Sequence, residues 1–101
     1  MAHTPKAFYR ATLPTAMTAV YTVPASGVAV VTNIVATNPS STASASVTVR
    51  IGGVPLLSGV GLAPSGVLTL DLRQVLTPGD IIEVQGTGSQ AHTHISGVEV
   101  V

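Results

Sequence analysis

Residues 67–85 read VLTLDLRQVLTPGDIIEVQ, and this stretch decides the fold class. Leu68, Leu70 and Leu72 fall on one side of an extended chain, with Thr69, Asp71 and Arg73 on the other. A period of two is the pattern of a half-buried β-strand. Thr77-Pro78-Gly79-Asp80 then turns the chain. Pro78 presets φ for the second turn position, and Gly79 accepts the positive φ that a type II turn needs at the third. A second strand follows, with Ile82 and Val84 inward and Glu83 and Gln85 outward. Residues 72–76 leave room for at most one short helical turn, and no other segment has a helical period.

The same punctuation recurs in both directions along the chain. Residues 8–13 and 18–23 read as short strands, the second with Ala19, Tyr21 and Val23 on one face. Residues 28–38, VAVVTNIVATN, form the longest strand pattern. Simple alternation puts Val30 and Ile34 on one face and Val31 and Val35 on the other. Apolarity on both faces implies a central strand, or one face spent on an interface. Residues 38–46, NPSSTASAS, read as a small polar loop. Val47, Val49 and Ile51 alternate with polar residues up to Gly52-Gly53, a strong hairpin signal. Residues 54–57 return as an edge or irregular strand because of Pro55, and residues 58–66 form a glycine-rich loop. Pro24-Ala25-Ser26-Gly27 and Pro64-Ser65-Gly66 look like one turn device used twice, at one end of the fold. Residues 86–91 read as a hairpin loop before a last strand, residues 92–101. There Ile95 and Val98 have opposite parity, which a bulge at Ser96-Gly97 would reconcile. Seven to eight short strands between glycine and proline turns predict an all-β fold, an antiparallel β-sandwich of jelly-roll or immunoglobulin-like type. Residues 8–101 make one domain, and residues 1–7, polar and without period, are expected as a flexible N-terminal arm.

Composition narrows the function. Among 101 residues there are four Lys and Arg, four Asp and Glu, and no net charge. That is 8% charged residues, where globular domains carry about 25%. No basic surface is available for nucleic acid or an anionic membrane. The absence of cysteine removes disulfides and thiolate metal ligands. The first ten residues hold no apolar run of signal-peptide kind. Aromatic residues are 3% of the chain and tryptophan is absent, which disfavours a carbohydrate-binding module built on aromatic platforms. No nucleophile, base and orienting group can be assembled, so no enzymatic activity and no cofactor are expected. Asp80 and Glu83 are explained by a turn and an outward strand position.

Three groups remain as candidates for contact. Lys6, Phe8, Tyr9 and Arg10 lie together near the N-terminus. Arg50 and Arg73 stand mid-strand on otherwise apolar patterns, either as a solvated face or as inter-subunit contacts, where arginine is enriched. His92 and His94, two apart on a strand, point to the same side. Two nitrogens are too few for a structural metal site, so the bland reading is a pair of solvated histidines and no metal.

VPASGVAVVTNIVATNPSSTASASVTVRIGG, then LAPSGVLTLDLRQVLTPGDIIEV, then HISGVEV resembles a family of small virion proteins of tailed bacteriophages. The likeness spans residues 23–101. It implies a structural subunit without enzymatic role: a capsid decoration (cement) protein bridging capsomers, or a minor tail, tail-tip or fibre-associated protein in host attachment. The implied partners are copies of itself, as a homotrimer, and the major capsid protein or other tail proteins, with neither nucleic acid nor membrane. The implied location is the virion, on the capsid surface or tail. Around a three-fold axis, three His92/His94 pairs would supply six nitrogens, as iron-binding pairs do in some trimeric tail tips.

Overall fold

A computed structural model describes residues 3–88 and 91–101. Eight strands follow in order: β1 (His3–Thr12), β2 (Thr18–Thr22), β3 (Val28–Thr37), β4 (Ala45–Ile51), β5 (Val54–Leu62), β6 (Val67–Leu76), β7 (Ile81–Gly88) and β8 (His92–Val100). They form two four-stranded antiparallel sheets that pack as a sandwich. Sheet A has the order β1-β8-β3-β6, and sheet B the order β2-β7-β4-β5.

The pairing has a simple logic. β1 pairs with β8, β2 with β7, β3 with β6 and β4 with β5. The first half of the chain therefore lies antiparallel to the second half, folded back at Gly52-Gly53. This ribbon is rolled so that β8 also meets β3 and β7 also meets β4. That is the topology of an eight-stranded jelly roll. Gly52 and Gly53 both have positive φ, 60° and 78°, the conformation of the two-residue hairpin that turns without splaying its strands. The Thr77–Asp80 turn also holds: Gly79 has φ 86°, and the Asp80 N–H donates to the Thr77 carbonyl at 3.0 Å. Its strands do not pair with each other, because β6 belongs to sheet A and β7 to sheet B.

The core lies between the sheets. Val31, Ile34, Leu76 and Ile95 from sheet A face Val47, Val49, Ile82 and Val84 from sheet B, all essentially without exposure. Leu68, Leu70 and Leu72 of β6 lie half-buried against this core. At the β1 end, Phe8 packs on Tyr21 with ring centroids 4.5 Å apart.

Several expectations change. His3 to Ala7 is not a loose arm: these residues extend β1 and pair with β8 from Val100 to Ser96. Their side chains are exposed because β1 is an edge strand, so order comes from the backbone ladder and leaves no hydrophobic signature. Met1 and Ala2, also assigned to the arm, lie outside the described residues. β5 runs on through residues 58–62, and β6 is extended to Leu76 with no helical turn. The bulge expected at Ser96-Gly97 is real in position but sits on the neighbours. β8 alternates without interruption, while Phe8 of β1 and Thr32 of β3 are the extra residues opposite Ser96 and Gly97. Thr32 inverts the parity of β3, so Val31 and Ile34 share the inner face and Val30 and Val35 the outer. The two Ser-Gly turns each carry the chain from sheet B to sheet A, but at opposite ends of the roll. Residues 86–88 belong to β7, and Ser89 and Gln90 of the expected hairpin loop lie outside the described residues.

Candidate interaction surface

The two outer faces of the sandwich differ in chemistry. On sheet B, register brings together pairs of polar residues: Ser46 with Thr87, Thr48 with Gln85, Arg50 with Glu83. This is an ordinary solvated face. On sheet A the outer positions hold valine. One cross-sheet row reads Pro5, Val98, Val30, Val75, and the next pairs Val100 with Val28. Toward the other end come two further rows, Arg10, His94, Val35, Thr69 and then Thr12, His92, Thr37, Val67. Val75 and Val67 are 67% and 63% exposed, high values for valines on one sheet face. β3 is thus apolar on both sides, and its second apolar side is presented outward.

The N-terminal candidates divide between the two sides of β1. Phe8 is 6% exposed and is core, which removes it as a contact residue. Tyr9 follows the bulge, opposite Ile95, and packs half-buried against the core, with its hydroxyl donating to the Thr12 carbonyl. Burial raises its phenol pKa. Lys6 points toward Glu99 at 3.4 Å and lies 5.6 Å from the Tyr21 ring centre. Glu99 also accepts a hydrogen bond from the Tyr21 hydroxyl. That bond is the main reason its carboxyl is held below the ordinary 4.5; the Lys6 ammonium adds to it and desolvation opposes it. Tyr21 is pushed well above 10.0, first by burial and then by Glu99. Lys6, Tyr21 and Glu99 therefore tie β1, β2 and β8 together and form a structural latch between the sheets. The strand patterns give no hint of it, since Glu99 reads there as one more outward polar residue.

Arg10 alone of this group reaches the outer face of sheet A, in register with His94. Arg50 lies on sheet B, where its Nη2 donates to the Gly53 carbonyl at 3.1 Å and braces the hairpin. Arg73 is exposed on the outer side of β6, opposite the register shift at Thr32, in a shallow groove of about 680 Å3 lined also by Thr32, Asp71 and Leu72. His92 and His94 do share one side of β8. His92 Nδ1 is 3.0 Å from the Thr12 hydroxyl, and the guanidinium-bearing Arg10 is the cross-strand neighbour of His94. A fixed cation beside the pair works against a second cation there. Among the described residues no three His, Cys, Asp or Glu side chains converge as metal ligands.

Asn38 is a residue whose importance sequence reasoning missed. It is 3% exposed, and its Nδ2 donates to the carbonyls of Ala43, Leu62 and Ala63 at 2.8–3.2 Å. Its Oδ1 accepts from Ser40 N–H. The polar stretch after β3 is thus organised around one buried amide. The Asn-Pro dipeptide was its signal.

No family model and no curated protein matches the chain.

Proposed function

We propose that this chain is a structural subunit of a tailed-bacteriophage virion, a capsid decoration protein that stabilises the head by bridging capsomers. The observation that carries the proposal is the contrast between the two outer faces: one polar and solvated, the other laid with valine across three of its four strands. A β face rich in small branched side chains can bury area against another flat surface. The sequence resemblance to small virion proteins supplies the setting. The jelly roll is used by viral capsid proteins and equally by lectins and cupins, so topology adds only compatibility. In this reading copies associate with one another, three being the number the resemblance implies, and the assembly sits on the major capsid protein.

Association by burial needs about 1,200–2,000 Å2 per stable contact and no ionic steering. The test is quantitative peptide mass spectrometry of density-purified particles, with heads and tails separated. The chain is expected with heads in a fixed ratio to the major capsid protein. Recovery with tails would move it to a tail or tail-tip role in host attachment. Recovery only in the particle-free fraction would end the proposal.

A further inference from the structure

The outer face of sheet A carries Arg73 beside Asp71 on β6, and at its far edge Arg10, which cannot meet Asp71 within one chain. Arg10 is on β1 and Asp71 on β6, the two edges of the sheet. Three strand spacings, about 14 Å, separate them. Among the described residues Asp71 accepts a hydrogen bond from the Asn33 amide, at 3.1 Å. Among the described residues the one ion pair is Lys6–Glu99, at the β1 edge of the sandwich with the Lys6 side chain part-exposed.

We infer that the partner of this face is the same face of another copy, set so that β1 of one copy lies beside β6 of the next. The inference deepens the proposed function and rests on it for the expectation that copies associate; it makes the contact a two-fold pair, where the resemblance implies three copies. A two-fold axis parallel to the strands exchanges the two edges in this way. Arg10 belongs to the row that ends at Thr69, one pleat repeat from Asp71. That offset is about 6.8 Å, which an extended arginine side chain spans. The same operation lays Val98 over Val30, and Pro5 over Val75, of the neighbouring copy. Each apolar row then covers its own counterpart, and each Arg10 comes within reach of an Asp71.

The area suffices. Sheet A has four strands and β8 has nine residues, so at about 4.8 Å between strands and about 3.4 Å per residue the face covers about 600 Å2. Two such faces bury about 1,200 Å2, above the roughly 1,000 Å2 expected of a specific interface. The polar outer face of sheet B stays in water.

The test uses the purified full chain, measured by size-exclusion chromatography with light scattering, with circular dichroism to confirm the fold. The wild type is expected at two copies; a wild type of three copies overturns the two-fold face. Val30→Arg with Val98→Arg should give a single copy, while Ala19→Arg, on the outer face of sheet B, should leave association unchanged. Arg10→Asp and Asp71→Arg should each weaken association by about tenfold or more, because like charges then face each other. The double reversal should recover most of it. These two side chains are exposed, so the reversals carry the test even where the valine variant fails to fold. A wild type that stays monomeric at high micromolar concentration overturns the inference, as does a double reversal no better than either single change. A monomer that still co-purifies with particles would end this inference and leave the virion reading intact. An associating chain absent from particles would do the reverse.

Discussion

Replacing Gly97 with alanine should destabilise this protein sharply, against the usual direction for a strand. In a strand interior, glycine costs about 0.5–1 kcal/mol relative to alanine, so Gly→Ala normally stabilises. Here a Cβ would overlap the Val30 carbonyl oxygen and stand 2.9 Å from both Phe8 Cε2 and the Val30 carbonyl carbon. Carbon contacts prefer about 3.5–4.0 Å, so the obstacles must retreat by roughly 0.6 Å or more. Two of the three atoms are β3 backbone, and the third is a core ring held against Tyr21. Overpacking of this kind costs about 1–3 kcal/mol. Pulling β3 from β8 would weaken one or two ladder hydrogen bonds, at about 1 kcal/mol each. The sum is about 3 kcal/mol, a large share of the roughly 5–15 kcal/mol of a domain's stability. With a urea dependence of about 1–3 kcal/mol/M, the unfolding midpoint should fall by about 1–3 M. An unchanged or raised midpoint would refute the claim that the bulge line through Phe8, Gly97 and Thr32 requires a missing side chain.

Asn38→Ala should cost about 2–4 kcal/mol, from lost hydrogen bonds, the one to the buried Leu62 carbonyl among them, read as a lower thermal midpoint; a cost under about 0.5 kcal/mol would reduce Asn38 to a surface loop residue. Glu99 sits below its ordinary 4.5, so its stabilisation is complete above that pH and is lost as pH falls through the folded-state value. Acid titration of unfolding should therefore show a shallower slope in Glu99→Gln than in wild type. Tyr21 is raised above 10.0, so stability should decline as pH climbs past 10.0, and Tyr21→Phe should flatten that alkaline limb. Deleting residues 1–7 should destabilise the domain, since it strips β8 of five paired residues and removes Lys6 from Glu99. A truncated domain as stable as the full chain would restore the loose-arm picture.

What the sequence discloses and what it conceals follows from the range of each interaction. Leu68, Leu70 and Leu72 declare their strand because side-chain alternation is local, and Gly52-Gly53 declares the hairpin because positive φ at two successive positions is local too. The sheet to which each strand belongs is not local. β6 and β7 adjoin across a tight turn, yet they pair with β3 and with β2 and β4, in separate sheets. The faces of β3 were misread because one extra residue, Thr32, inverts the alternation, and an exposed threonine has no signature of a bulge. His3 to Ala7 looked loose because an edge strand is held by backbone groups that every sequence has. At the candidate surface, the double apolarity of residues 28–38 was legible, and so was the alternative that one face serves an interface. Which of Lys6, Phe8, Tyr9 and Arg10 face outward was not legible, because the β1 bulge falls in their midst. Lys6, Phe8 and Tyr9 turn toward the sandwich, and Arg10 turns away.

The most direct test of the packing account is the orientation of this jelly roll in a reconstruction of intact particles at side-chain resolution. Density should show Val30 and Val98 covered by a neighbouring chain while Thr48 and Gln85 face solvent. A jelly roll with its valine face bare to water, or particles with no copy of it, would contradict the account.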